Sequence, residues 1–238
     1  MPNWCYNNMS VHGDRESLEK LTTAITRKDD DGNEFHDLTV LFPVPEELQI
    51  KSVFWSADST DPEHLELAKK YEANKEKYGY QTWYEWCIAN WGTKWSPRIE
   101  HWEINDYNDE STISADYDTA WSPADGLIRE VSKQFPTLLF SVTSDEEGCS
   151  FACCEVYKGG ELVAGFGLSL PNDEAMPEEF RVRRQAIDKA MENGDYDSDE
   201  YIGAWEDHND WNNEIKEYCE DMAWNELRDK GLVPRLGV

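Results

Sequence analysis

The sequence predicts an α+β protein in two parts. Residues 1–170 form an α+β domain with an antiparallel or mixed sheet, and residues 171–238 form an acidic helical section. Three observations lead there. Residues 4–12 and 111–119 alternate side-chain type with period two, as a half-buried strand does. Apolar stripes at helical spacing lie between such runs, so helices and strands are interleaved. After Pro171 the strand signal stops and only helical patterns remain.

The elements follow in order. In 4–12, Cys5, Met9 and Val11 share one face, and Trp4, Tyr6, Asn8 and Ser10 the other. "HGD" turns the chain into a helix over 14–27 with Leu18, Leu21 and Ile25 as its stripe. "KDDDGNEFHD" reads as a loop and "LTVLFPVP" as a second strand ended by prolines. Residues 46–61 read as loop. A helix starts at Asp61-Pro62, since proline is tolerated in a first turn, and ends at Gly79. A short helix covers 82–91, and strands cover 99–105 and 111–119, the second with Ile113, Ala115 and Tyr117 inward. "WSPAD" opens a helix with Ser122 as N-cap and Pro123 at its first position. Leu127, Ile128, Val131 and Phe135 are its apolar face. Three strands follow in "TLLFSVTS", "CSFACCEVY" and "ELVAGFGLSL", the last two joined by a tight Gly159-Gly160 turn. Helices are expected over 176–192 and 207–230.

Charge narrows the function. The 22 Lys+Arg face 50 Asp+Glu, for a net charge of −28. Such a surface repels nucleic acid, whose binding needs Lys/Arg to displace counterions, and it repels anionic membrane. It attracts basic protein surfaces, with steering that salt screens. The stretch 193–226 holds twelve acidic residues and a single basic one, Lys216. No basic-then-apolar leader opens the chain, and no apolar run is long enough to span a bilayer. A cytoplasmic location and reduced cysteines are therefore expected. None of Cys5, Cys87, Cys149, Cys153, Cys154 and Cys219 forms a CxxC pair, so structural zinc is not expected.

The segment "WYEWCIANWGTKWSP", residues 83–97, concentrates Trp83, Trp86, Trp91 and Trp95. At helical spacing, Trp83, Trp86, Cys87 and Asn90/Trp91 form a stripe suited to packing on a sheet. A nucleic-acid platform would pair its rings with a basic groove, and Lys94 and Arg98 are the nearby cations. A small-ligand pocket lined by Trp91, Trp95, Tyr107 or Trp121 is the alternative. Cys149, Phe151 and Cys153 share a strand face near Glu146, Glu147 and Glu155, a setting that does not activate a thiol.

"DYDSDEYIGAWE", residues 195–206, places Asp195, Asp197, Asp199 and Glu206 at positions 1, 3, 5 and 12 of an EF-hand loop, a candidate Ca²⁺ site. Position 6, normally glycine for a sharp turn, is Glu200, a serious departure, and a solvated loop in an acid-rich chain is the simpler reading of the pattern. No GxSxG, HExxH or P-loop is present. His12 and His101 read as ordinary surface histidines. A non-enzymatic protein is expected.

"MPNWCYNNMSVHG", "NWGTKW" at 90–95, "DTAWSP" at 118–123, "FP" at 135–136 and "EEGCSFACCEVYKGG" at 146–160 together resemble, in order, the YubB-like proteins of phages and plasmids. The resemblance covers roughly residues 1–170. It implies a ferredoxin-like fold, with antiparallel strands and helices packed on one face, and no catalytic residues. It also implies a mobile-element origin and the cytoplasm of a bacterial host. The expected function is that of an accessory protein binding a basic host protein, in the strongest form a DNA mimic that inhibits host defence. The candidate surface is Asp116 and Asp118 on the strand face, with Asp195, Asp197, Asp199, Glu200, Glu206, Asp207, Asp210, Glu214, Glu217, Glu220 and Asp221 in the helical section.

Overall fold

A computed structural model describes residues 3–53, 60–107, 110–146, 148, 150–170, 173–193 and 198–233; of Tyr107 and Asn193 it describes the backbone alone. The chain opens with β1 (Trp4–Gly13) and α1 (Arg15–Ile25). The Asp14 carboxylate caps α1 by accepting from the Ser17 backbone N–H at 2.9 Å. An insertion follows: β2 (Thr26–Lys28), β3 (Glu34–His36), α2 (Pro62–Tyr78) and α3 (Trp83–Trp91). Then come β4 (Arg98–Tyr107), β5 (Glu110–Ala120), α4 (Asp125–Gln134), β6 (Leu139–Glu146), β7 (Phe151–Lys158) and β8 (Glu161–Ser169). Two helices close the chain, α5 (Glu178–Asn193) and α6 (Asp199–Asp229).

Six strands form one sheet in the order β4-β5-β1-β6-β7-β8, every neighbouring pair antiparallel. Within it, β1-α1-β4-β5-α4-β6 is a βαββαβ unit with strand order β4-β5-β1-β6. That is the ferredoxin-like arrangement, widened at one edge by the β7–β8 hairpin. The period-two reading of β1 and β5 holds: Met9 pairs with Ala115 and Val11 with Ile113, all inward. Asn7 is the polar member of the inward row. Its amide donates to Cys5 O, Tyr117 O and Thr119 Oγ1, and its oxygen accepts from Ser144 Oγ at 2.8 Å. A buried amide so fully partnered is tolerated in a core.

Each sheet face has its own core. On one, Met9, Val11, Ile113, Tyr117, Phe140 and Val142 meet Leu18, Leu21 and Ile25 of α1, Trp86, Cys87 and Trp91 of α3, and Leu127, Ile128 and Val131 of α4. On the other, Leu139, Ala152, Cys154, Val156, Ala164 and Leu168 of β6–β8 meet Trp211, Ile215, Cys219, Ala223 and Leu227 of α6 and Ile187 of α5. The acidic helical section thus packs on the face opposite the other helices. Burying each large side chain contributes roughly 1.5–3 kcal/mol, and Trp211 is fully buried with its indole N–H donating to Phe180 O at 2.9 Å. The end of α6 also reaches the β8 edge. Gly165 N–H donates to Glu226 Oε2 at 3.0 Å, and Lys230 Nζ donates to Val163 O at 2.8 Å.

Several local expectations change. "KDDDGNEFHD" contributes to a β2–β3 hairpin, because the Asp29 carboxylate accepts from the Asp31 and Asn33 N–H groups and closes the turn. "LTVLFPVP" is not a strand: Leu38–Leu41 is a 3₁₀ turn, nucleated by Asp37, which accepts from Thr39 N–H and its hydroxyl. Ser122 does not cap α4. Its hydroxyl donates to Gly92 O, and the helix starts three residues later with Ala124 in the cap position. Here α3 and α4 meet closely enough that a Cβ on Gly126 would stand 2.2 Å from Asn90 O.

Candidate functional site

The packing of α6 sorts its charges. Trp211, Ile215, Cys219, Ala223 and Leu227 recur every four residues and face the sheet. Asp199, Glu206, Asp210, Glu217 and Asp221 are exposed, at intervals of seven, four, seven and four residues. At 100° per residue they fall within an arc of about 60°, a row about 33 Å long. Among the described residues none of the five is in an ion pair. Lys216, the single cation of this stretch, turns inward to Asp145 at 3.1 Å. Glu214 is held by Arg183 at 2.8 Å, and Glu200 and Asp207 are exposed to one side of the row.

Asp116 and Asp118 stand apart from that row, on the outward face of β5. Asn8 Nδ2 donates to Asp116 at 2.6 Å, and Arg98 lies 3.6 Å from Asp118. Burial pushes the Asp118 carboxyl up, with Glu100 adding repulsion. Glu220 of α6 shares with Asp116, Ser10 and Thr143 a cleft of about 240 Å³ whose lining does not include Asp118. Its carboxyl is also pushed up by burial. The predicted acidic surface is therefore two surfaces. His12 is not a plain surface histidine: its ring packs edge-on against Trp224 of α6 at 5.2 Å, and burial lowers its pKa.

Only the second half of the EF-hand pattern, from Asp199 to Glu206, lies among the described residues. Residues 199–206 are the first two turns of α6, capped by Ser198, whose hydroxyl accepts from Tyr201 N–H at 3.2 Å. A helix separates Asp199 from Glu206 by about 10.5 Å of rise, where a loop would fold them around one ion. Asp195 and Asp197 lie outside the described residues. Among the described residues no group of three or more His, Cys, Asp or Glu is placed to hold a metal.

The four pocket candidates separate as well. Tyr107 ends β4 and Trp121 follows β5, at opposite ends of the β4–β5 ladder; the Tyr107 side chain lies outside the described residues. Trp91 and Trp95 do share a cleft of about 490 Å³, between α3 and the 39–51 segment, lined also by Trp83, Lys51 and Lys94. Trp91 is mostly core, its indole N–H donating to Phe42 O at 2.9 Å. Gly92 (φ 88°) ends α3 and releases the chain toward Lys94 and Trp95. The Lys94 ammonium lies 4.3 Å from the centroid of Trp95, 5.3 Å from Trp121 and 5.4 Å from Tyr84. Sequence reasoning named Lys94 only as a nearby cation and missed Lys51; the Lys94-Trp95 adjacency was the available signal.

The described cysteines are packing residues. Burial pushes the Cys5, Cys87 and Cys219 thiols up to about 12, and raises Cys153 and Cys154 as well. Cys149 lies outside the described residues. No helix among the described residues is long and apolar enough to cross a membrane.

No curated protein matches this chain. The crystal structure of protein api92 from Yersinia pseudotuberculosis aligns with it at a TM-score of 0.38 and 9% identity, covering 72% of this chain and 100% of that one. A family model matches part of the ferredoxin-like unit, the hairpin that follows it and the start of α5, and it leaves the N-terminal "MPNWCYNNMSVHG" and the 90–95 motif outside. Over residues 101–183, from β4 into α5, the chain is similar to the family described as the ferredoxin-like domain in Api92-like protein.

Proposed function

We propose that the chain is a non-enzymatic binding protein that docks a partner with a basic surface through the outer face of α6. The observation that carries this reading is the row of Asp199, Glu206, Asp210, Glu217 and Asp221. It is exposed, and no ion pair among the described residues neutralises it. One exposed pair contributes little in water. A row of like charges on a rigid helix steers a cationic surface from a distance and aligns it, with a reach set by ionic strength.

In its strongest form the row stands in for the phosphates of a nucleic acid, and the chain occupies the DNA-binding site of a host protein such as a defence factor. The resemblance to YubB-like phage and plasmid proteins supports that setting. So does the exposure of Glu200 and Asp207, which broaden the row. The test is capture from bacterial lysate with the wild-type chain and the D199N/E206Q/D210N/E217Q/D221N variant. The expected result is a partner retained by wild type at low salt, released at high salt or by duplex DNA, and lost with the variant. Equal recovery by both chains would overturn the proposal. Release by salt but not by duplex DNA would leave docking and remove the nucleic-acid mimicry.

A further inference from the structure

We propose that the cleft beside α3 binds a planar aromatic anion, a ring carrying phosphate, sulfonate or carboxylate. Its volume of about 490 Å³ suits a ligand of that size. Its lining is unusual for this chain: Lys51 and Lys94 contribute, and none of the described lining residues is Asp or Glu. The Trp83 and Trp95 side chains supply aromatic wall.

The way Lys94 is held points to a ligand. A carboxylate partner would fix its ammonium and cancel its charge. Here three aromatic rings, Trp95, Trp121 and Tyr84, surround it instead. A ring quadrupole attracts a cation and leaves its net charge intact. In a chain with 50 acidic residues, a lysine held by rings at the edge of a cleft, with no ion pair among the described residues, is a positioned cation.

Trp121 adds a separate observation. It is the one non-glycine residue with positive φ among the described residues, at 69°, and the residue is 43% exposed. Its N–H donates to Asn3 O at 3.0 Å, which fixes the turn. A bulky side chain in the left-handed region is strained, and such strain is held where it places a functional group. What it places here is a ring against Lys94. This site shares no residue with the α6 row, so the two proposals stand or fall separately.

The test uses the full chain and two probes: 1-anilinonaphthalene-8-sulfonate, and N-phenyl-1-naphthylamine, which has the same rings without the anion. Probe emission and energy transfer from tryptophan report binding. The expected result is saturable 1:1 binding of the sulfonate probe, weakened roughly tenfold or more in K51M/K94M, as loss of charge-assisted hydrogen bonds requires. The uncharged probe should bind that variant as it binds wild type. Lys94→Arg should retain sulfonate binding, and matching thermal unfolding of all variants shows that the fold is kept. No saturable sulfonate binding at millimolar probe would overturn the proposal, as would equal binding of that probe to K51M/K94M.

Discussion

On the outer face of α6, five exposed carboxylates stand in a row with no ion-pair partner among the described residues. At the cleft beside α3, two lysines stand with no carboxylate among the described lining residues. Both belong to a chain of net charge −28. The first arrangement follows from packing, since α6 spends its apolar positions on the sheet and leaves its acids outside. The second follows from aromatic content, because rings can hold a cation where a carboxylate otherwise would. Net charge therefore fixes the sign of the averaged field and not the sign at a particular site.

The comparison breaks most severely at Trp211. Replacing it with alanine should cost about 3–5 kcal/mol, the usual range for a buried tryptophan, measured by urea unfolding. Because Trp211 belongs to the core under α6 alone, partner capture by the α6 row should fall while the α3 cleft keeps its probe binding. Loss of both together would show that the two cores fold as one unit.

A third carboxylate environment sharpens the contrast. Glu155 on β7 is turned to the α4 side, accepts from the Tyr157 hydroxyl at 2.5 Å, and is raised in pKa chiefly by burial, with repulsion from Asp125. A raised carboxylate binds its proton more readily folded than unfolded, so its ionised form costs stability at neutral pH. That cost disappears as pH falls through the raised value toward the ordinary glutamate range. Glu155→Gln should therefore be the more stable chain at pH 7, with the difference closing on acidification in thermal melts. A variant less stable at every pH would show that the Tyr157 bond outweighs desolvation.

Smaller effects belong to α6 itself. Ser198→Ala removes the N-cap and should cost about 1 kcal/mol, read as a lower unfolding midpoint. Glu206→Gln should act the other way. Glu206 and Asp210 are like charges four residues apart, and relieving such a pair stabilises a helix by roughly 0.2–0.5 kcal/mol. A gain that vanishes in high salt would identify the repulsion as its source.

Much of the sheet was legible because β1 and β5 bury one face and expose the other, so alternation records the fold. The β2–β3 hairpin was not, since three-residue strands carry no period. Residues 38–45 misled because an apolar run does not distinguish a strand from a buried 3₁₀ turn, and the deciding bond from Asp37 is local. The acid row is present in the sequence at intervals of seven and four, but the acid density and EF-hand spacing of 195–206 point to a loop there, and α6 starts at Asp199. The Lys94 cage was illegible for a different reason. Trp95 adjoins Lys94 in sequence, but Tyr84 stands a helix length before it on α3 and Trp121 arrives from the end of β5, and only the fold brings the three rings together.

The β8 edge carries a consequence of its own. An outermost strand offers unpaired donors and acceptors to any extended chain that approaches. Here one N–H and one C=O, on Gly165 and Val163, are taken by Glu226 and Lys230, which are themselves paired at 2.7 Å across one turn of α6. Two side chains thus imitate the first rung of a seventh strand. Since Glu226 lies in the last turn of α6 and Lys230 is its C-cap, fraying of that helix end, with release of Leu227, would uncover the rung while the sheet and the rest of α6 stay folded. Self-association through β8 should then follow the local opening of α6 rather than global unfolding.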